Sequence, residues 1–407
     1  MSELATLGVY SVFIASYVVF ALGKFPGMKI DRPGAAVIGA VLMFALGAVR
    51  GTDALRFVHF GTIVLLFSMM LVVAHLHLAG FFDWVTEAVV TWLKPHHLLP
   101  TVIFLSGLLS AFFVNDIICL VMVPFALAAT RRMGLKPLPY LLAVATAANI
   151  GSTATITGNP QNILIGSFSG IPYRDFLWHL GPVALMGLFL DWLVLWWLFF
   201  RGGVHEVRAE IAAEPPAVEH AALLKAGLVA VLVLAGFLAG FPPPLVAAVG
   251  AAILLITRTR DPHRVYEEVD WGLLVFFIGL FLIVGGAESA GLTGRLLRLS
   301  EQANLQRLSV FTLTAVVLSN LVSNVPAVML LKSLVPHFPH PHTLWLTLAM
   351  ASTLAGNLTI TGSVANIIVV ERARKEAPIS FFDYFRIGLP VTVLTLTAGW
   401  LWLSWVR

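Results

Sequence analysis

Residues 60–80 read FGTIVLLFSMMLVVAHLHLAG, a run of 21 without a single Asp, Glu, Lys or Arg. A helix needs about 20 apolar residues to cross the roughly 30 Å hydrocarbon core of a bilayer. Comparable runs recur at 7–23, 33–49, 138–168, 176–200, 221–240, 243–257, 270–289, 343–371 and 383–405. Charged residues make up only 11% of the chain and apolar ones 59%, against about 25% and about 45–50% in soluble domains. So few charges cannot cover a water-facing surface, and the pattern specifies an all-α polytopic membrane protein with about ten crossings. Its first partner is the lipid bilayer. The basic residues sit in loops rather than in one patch, which argues for topology control and against nucleic-acid binding. A single cysteine, Cys119, excludes an intrachain disulfide and a cysteine-rich metal cluster. The first apolar run lacks a basic flank and a small-residue cleavage site, so it reads as a retained helix, not a signal peptide.

Two further apolar stretches, 99–131 and 308–335, are interrupted near their middles by Asn115-Asp116 and by Ser323-Asn324-Val325-Pro326. Each half is short for a crossing but suits a re-entrant hairpin. The interruptions are part of an internal repeat. Arg32-Pro33 lines up with Pro243-Pro244, Gly61 with Gly272, and Leu78-Ala79-Gly80-Phe81 with Ser289-Ala290-Gly291-Leu292, each at an offset of 211. Asn115 matches Asn324 at 209 and Gly181 matches Gly388 at 207. Five crossings and one hairpin per half is an odd count, so the halves must be inverted relative to one another. The organisation is then an N-terminal repeat at 1–200, a cytoplasmic linker at 201–220 and a C-terminal repeat at 221–407. With both termini outside, 17 of the 25 Lys and Arg residues fall on the cytoplasmic side, as the positive-inside rule requires. The expected location is the inner, plasma membrane of a bacterium.

The octets TITGNPQN at 155–162 and TITGSVAN at 359–366 stand 204 positions apart inside apolar surroundings. Unwound backbone survives in hydrocarbon only within protein or beside a cavity. Asn is a favoured helix N-cap and Pro a favoured first residue. Thr157-Gly158 is therefore expected to end one half-helix, with Asn159 capping the next. In the second copy Thr361-Gly362 ends and Ser363 caps. The hairpin tips repeat the logic at Asn115 and Asn324. Four half-helices then start near mid-membrane, each carrying roughly half a positive charge and free N–H donors. A small anion, or an oxygen-rich neutral solute, is the natural guest, contacting Asn115, Asn159, Asn162, Ser323, Asn324, Ser363 and Asn366. The freed carbonyls at Gly158 and Gly362, with Thr157, Thr361, Asn115 and Asn324, offer oxygens to a coupling Na⁺. Asn, Ser and Thr in membrane helices also serve as plain interhelical glue, but four polar clusters placed symmetrically in two repeats favour a site. No organic cofactor is called for.

Asp116, one residue past the first tip, is expensive at the bilayer centre unless protonated or paired. It is a candidate coupling group for Na⁺ or H⁺, or simply a first-turn carboxylate. Asp191 is expected to make an interhelical hydrogen bond. The matched positions His75/Gly286 and His77/Glu288 read as interface residues. His337, His340 and His342 read as a solvated turn, with metal binding the alternative, and Trp192, Trp196 and Trp197 as lipid-facing or interfacial. No HExxH, GxSxG or GxxxxGK[ST] occurs, which leaves no signature of an enzyme or of a nucleotide-driven pump.

The segments FFVNDIICLVMVP, ATAANIGSTATITGNPQNILIG, SNLVSNVP and NLTITGSVANIIVVERA resemble the ion transporter superfamily. That group includes divalent-anion/sodium symporters, citrate transporters, arsenite permeases and a sodium/proton antiporter branch. The closest likeness is to arsenite-permease-like anion transporters. The resemblance implies a scaffold domain, a transport domain of hairpins and broken helices, a homodimer and elevator-type movement. The superfamily's tip signature falls on Val114-Asn115-Asp116 and Ser323-Asn324-Val325. The dicarboxylate branch carries Ser-Asn-Thr at both tips, and this chain lacks both threonines and the first serine. The resulting expectation is a secondary transporter of a small anion or oxyanion, coupled to Na⁺ or H⁺. Na⁺/H⁺ antiport or arsenite/antimonite efflux on the same scaffold is the alternative, with a passive channel or membrane enzyme further behind.

Overall fold

The computed structural model describes residues 2–24, 27–201, 219–256 and 261–406. The described residues form twenty α-helices. Those of the first half are α1 (Glu3–Leu22), α2 (Arg32–Ala45), α3 (Gly51–Phe57), α4 (Phe60–Leu78), α5 (Phe81–Trp92), α6 (Leu98–Phe112), α7 (Asn115–Met133), α8 (Leu138–Ser152), α9 (Pro160–Ser169) and α10 (Tyr173–Phe199). The second half repeats this order: α11 (His220–Leu238), α12 (Pro243–Leu255), α13 (Pro262–Glu267), α14 (Trp271–Ser289), α15 (Leu292–Gln302), α16 (Leu308–Val322), α17 (Asn324–Leu331), α18 (Pro341–Ala355), α19 (Val364–Ala373) and α20 (Phe381–Trp405). Of the linker read at 201–220, residues 202–218 lie outside the described residues.

The repeat read from spacing is a repeat in space. Helix α2 packs on α14 and α12 packs on α4. A methyl group added at Gly61 would lie 3.6 Å from the Pro244 ring, and one at Gly272 would lie 3.4 Å from the Pro33 ring. The side chains His59 and Asp270, also 211 apart, cap α4 and α14, accepting from the N–H of Thr62 and of Leu273. These reciprocal contacts make the two halves pseudo-two-fold partners. They set α1–α4 and α11–α14 against one another as a framework for the rest.

Among the described residues, seven helices are long and apolar enough to cross a membrane, α4, α10, α14 and α20 among them. The outward faces are apolar. Leu224, Leu228, Val231 and Leu232 of α11 are all more than half exposed, as are Leu185 and Trp197 of α10. An apolar belt of that extent belongs against lipid. Two helices escaped the search for crossings. Helices α5 and α15 begin at Gly80 (φ 80°) and Gly291 (φ 91°), left-handed positions where a side chain is penalised. These glycines turn the chain sharply out of α4 and α14. The sequence of α15, LTGRLLRLSEQ, is too polar for a span but strongly amphipathic, which suits a helix lying along a surface.

Candidate substrate and ion site

The helix pairs α6–α7 and α16–α17 are hairpins, and each folds back at its polar interruption. Asn115 is the first residue of α7, and its backbone N–H donates to the Gly158 carbonyl oxygen at 2.9 Å. The first tip is thereby tied to the first helix break. Ser323 joins α16 to α17 with φ at 76°, a conformation unusual for a residue with a side chain and characteristic of constrained functional segments.

The break between α8 and α9 begins earlier than the sequence suggests. Helix α8 stops at Ser152, and residues 153–158 form turns. The physical reason is that this loop folds back over the end of α8. A methyl on Gly158 would lie 2.2 Å from the Ser152 carbonyl oxygen, so only glycine fits there. The carbonyls released by the break still need donors. The Asn162 side-chain amide donates to the carbonyls of Ser152 and Thr155, both at 3.0 Å. Asn159 caps α9 as expected, accepting from the Asn162 N–H at 2.8 Å with Pro160 in the first turn. Across the pseudo-axis α18 stops at Ala355, and Asn366 donates to the carbonyls of Gly356 (2.7 Å) and Thr359 (3.0 Å). Every partner is displaced by 204. Ser363 holds the N-cap position of α19 but makes no capping hydrogen bond, which corrects its expected role. Its hydroxyl donates instead to Asn149 Oδ1 at 2.9 Å.

Asn149 is the hub of the arrangement. Its Oδ1 accepts from Ser363 and from Asn115 Nδ2 (3.0 Å), and its Nδ2 donates to Asn357 Oδ1 and Asn366 Oδ1, each at 2.9 Å. One buried amide therefore joins the first tip, the second break and α8. Its counterpart 204 residues on is Thr353, whose hydroxyl accepts from Asn159 Nδ2 at 3.1 Å. Asn159 and Ser363 are themselves 204 apart, so these two bonds are one contact made twice. Sequence reading did not single out Asn149, Thr353 or Asn357, although all three lie inside or beside the octet segments. Their offset spacing was the available signal.

Both tips and both breaks open onto one cavity of about 450 Å³. Of the predicted site residues, Asn115, Asp116, Ser323, Asn324, Thr361 and Ser363 line it. Thr157, Gly158, Asn159, Asn162, Gly362 and Asn366 are buried behind its wall as its supports. Thr157 is turned away from the cavity, its hydroxyl bonded to the Tyr173 hydroxyl (2.8 Å) and the Phe112 carbonyl (3.2 Å). The structure adds lining residues that the sequence reading did not assign, namely Gln161, Asp31, Arg32 and Asp270. The Arg32 Nε donates to the Phe20 carbonyl at 2.9 Å, which anchors the guanidinium at the cavity rim. Asp31 and Asp270 accept from backbone N–H groups at the starts of α2 and α14. The side-chain oxygens of Asn115, Asn162, Asn320 and Asn324 are buried without a protein donor. Buried acceptors are ordinarily satisfied, which sets these four oxygens apart; of the four residues, Asn115 and Asn324 line the cavity.

The other candidates fall elsewhere. Asp191 is buried and accepts from the Thr146 hydroxyl at 3.0 Å, an interhelical bond. His75 bonds the Leu71 carbonyl, His77 meets Glu268 at 3.2 Å, and Glu288 meets Lys332 at 3.3 Å. The three histidines of 337–342 do not act as one turn, since His342 reaches across to Asp175.

With this geometry in view, comparison with known proteins matches residues 17–347 to the citrate transporter family, CitMHS. The chain belongs to that family. An uncharacterized transporter of Mycobacterium tuberculosis is 30% identical over 97% of this chain and 98% of its own length. The silicon efflux transporter LSI3 of Oryza sativa subsp. japonica is 30% identical over 95% of this chain and 96% of its own. The putative transporter arsB of Dictyostelium discoideum is 25% identical, covering 95% and 90%. Among solved structures, the YdaH transporter of Alcanivorax borkumensis superposes with a TM-score of 0.62 at 16% identity, covering 99% of this chain and 97% of that one; that likeness concerns the fold. This CitMHS member is thus an integral membrane secondary transporter and not an enzyme.

Proposed function

We propose that the cavity binds a small anion or oxyanion together with Na⁺ or H⁺, and carries both by an elevator-type alternation. The observation behind this reading is the convergence of four helix N-termini, those of α7, α9, α17 and α19, on one cavity with Arg32 at its rim. Such ends supply N–H donors and positive potential without any mobile charge. The carboxylates of Asp31, Asp116 and Asp270 share that cavity with a single arginine. A bare multivalent anion would be repelled there, so a coupling cation, or a weakly charged oxyacid, fits the electrostatics better. The same balance supports the second reading, Na⁺/H⁺ exchange or efflux of an arsenite-like oxyacid, and the silicon and arsB names of relatives point to that chemistry.

In this reading the two hairpins are re-entrant and belong, with the broken helices, to the moving domain. The cavity opens between Gly23, Asp31 and Asp270, the cytoplasmic side if both termini are outside. Away from that opening, Tyr17 donates to the Pro326 carbonyl, Thr62 to Ser167, and Lys332 pairs with Glu288. These are contacts that must break for the opposite opening. A second copy packing on the framework would complete the implied homodimer. The test is uptake into proteoliposomes of citrate, silicate, arsenite and simple oxyanions, under Na⁺ and pH gradients imposed separately. Gradient-driven, saturable uptake that Asn115→Ala and Asn324→Ala abolish supports the reading. Uptake unchanged in both variants refutes the site assignment, and non-saturating leak refutes the transporter mechanism.

A further inference from the structure

Away from the cavity, two imidazoles and a carboxylate from two helices converge. Asp175 and His179 lie one turn apart near the start of α10, and His342 is the second residue of α18. His342 Nε2 is 2.7 Å from Asp175 Oδ2. His179 Nδ1 is 3.2 Å from Asp175 Oδ1 and 2.8 Å from the Asp175 backbone oxygen. One ligand atom from each residue lies within 4.8 Å of the other two. The His179 side chain is 19% exposed, Asp175 37% and His342 47%, so the group is preassembled yet open to water.

We propose that Asp175, His179 and His342 form a binding site for a divalent transition-metal ion, with Zn²⁺ the best match. Two nitrogens and one carboxylate oxygen suit zinc, whereas Ca²⁺ and Mg²⁺ select all-oxygen sets. Ligands about 2.0–2.2 Å from a tetrahedral ion stand roughly 3.3–3.5 Å from one another, inside the range already spanned here. Three protein ligands leave the fourth position to water. A neutral imidazole coordinates through one ring nitrogen and keeps its single proton on the other, so His342 would bind through Nε2 and His179 through Nδ1, with their protons on Nδ1 and Nε2. The consequence lies in what the ligands are attached to. α18 is the half-helix that ends at the second break, and the His179 carbonyl also accepts from the Trp402 indole of α20 at 2.8 Å. A bound ion would fasten α10, α18 and α20 at one point, and so fix the helix that leads to the Thr361–Ser363 wall of the cavity.

The test uses untagged full-length protein in detergent, Zn²⁺ alone as the probe, and metal content measured after equilibrium dialysis, with Co²⁺ absorption as a second readout. The expected result is one ion per chain and visible Co²⁺ bands of imidazole ligation. His342→Gln keeps a hydrogen-bond donor for Asp175 but removes the imidazole, so a merely hydrogen-bonding role would survive it. Affinity should fall by at least about 100-fold, because loss of even an outer-shell partner costs about 10–100-fold. His342→Cys, which restores a ligand, should recover binding and covers the case where the glutamine variant fails to fold. The exposed pair His96 and His97, whose rings lie 3.9 Å apart, is the control, and its double glutamine variant should bind as the native protein does. Substoichiometric zinc on the native protein, or zinc retained by both His342→Gln and Asp175→Asn, overturns the proposal.

Discussion

Replacing Asn149 by alanine removes four hydrogen bonds at once, to Asn115, Ser363, Asn357 and Asn366. Interhelical hydrogen bonds in membranes average about 0.6 kcal/mol and reach about 1.7, so four give roughly 2–3 kcal/mol from the bonds themselves. Partners left dry and unpaired add to this, at about 1–3 kcal/mol for each one that no water reaches. The side chain is 1% exposed, so water does not readily substitute. With one partner left dry, the expected destabilisation is about 3–6 kcal/mol. A control comes from α6, which packs on α8: the Ser106 hydroxyl is buried without a hydrogen-bond partner. Ser106→Ala therefore breaks nothing and should stay within about 0.5 kcal/mol of native. Unfolding by SDS titration from mixed micelles measures both differences. The loss has a functional side too, because Asn115 and Ser363 are oriented toward the cavity by this amide. If Asn149→Ala unfolds within about 0.5 kcal/mol of Ser106→Ala, the four-way junction does not exist as described, and the link between tip and break goes with it.

Further outcomes follow from single contacts. Arg32→Ala should raise the substrate KM about 10–100-fold, the worth of one charge-assisted hydrogen bond at roughly 1.5–3 kcal/mol, while Arg32→Lys retains part of it; steady-state uptake decides, and an unchanged KM removes Arg32 from the site. Gly158→Ala drives a methyl to 2.2 Å from the Ser152 carbonyl oxygen and 2.7 Å from its Cα, so folded yield should collapse. Gly227→Ala on α11 meets nothing within 4 Å and should be neutral or stabilising by up to about 1 kcal/mol. Size-exclusion yield and unfolding midpoint compare the two. Lys332→Met should loosen the side of the cavity opposite its opening. The pair with Glu288 is only 16% and 28% exposed, and at about 1 kcal/mol its loss shifts a two-state balance about fivefold. Thiol labelling of a cysteine placed at Ser323, with reagent supplied from each side of sealed vesicles, reads that shift. An unchanged labelling ratio refutes the assignment of this pair as a closing contact.

The crossings, hairpins and breaks were legible because burial in hydrocarbon leaves the chain few options. A helix-breaking glycine or a polar tip in an apolar run has to mean re-satisfied backbone. Repeat offsets then fixed which elements pair, and Gly61–Pro244 against Gly272–Pro33 verifies this atom by atom. Helices α5 and α15 were not legible, since a search for long apolar runs cannot register short amphipathic ones. Their signal in the sequence is the glycine pair at 80 and 291, left-handed at the start of both helices. The site was legible as a set of segments but not as a wall. Thr157 and Thr361 occupy identical positions in TITG, yet the first is buried against Tyr173 and the second is exposed to the cavity. One sequence motif thus takes two environments, set by the fold around each copy and not by the motif. The hub escaped because an asparagine in AANIGS differs in no local property from one that glues two helices together. Only its reach to three other segments distinguishes it.

The octets also differ where the halves could have been identical. The first break restarts with Pro160-Gln161, the second with Val364-Ala365. Gln161 is buried and its amide donates to Thr353 at 3.2 Å, which leaves its carbonyl oxygen for the cavity it lines. At the matching place Ala365 is fully buried and Val364 presents an apolar surface, 39% exposed. The cavity consequently has one polar shoulder and one apolar shoulder, above four helix ends of similar potential. Helix ends attract any small anion and discriminate weakly, because a dipole reads charge and not shape. Discrimination then has to come from the unequal shoulders, through a hydrogen bond that a substrate either completes or leaves open. Val364→Gln would put a polar amide on the apolar shoulder. It should change the order of preference among oxyanions in the proteoliposome uptake assay. If that order is untouched, selectivity resides at the tips, where Asp116 and Val325 both line the cavity.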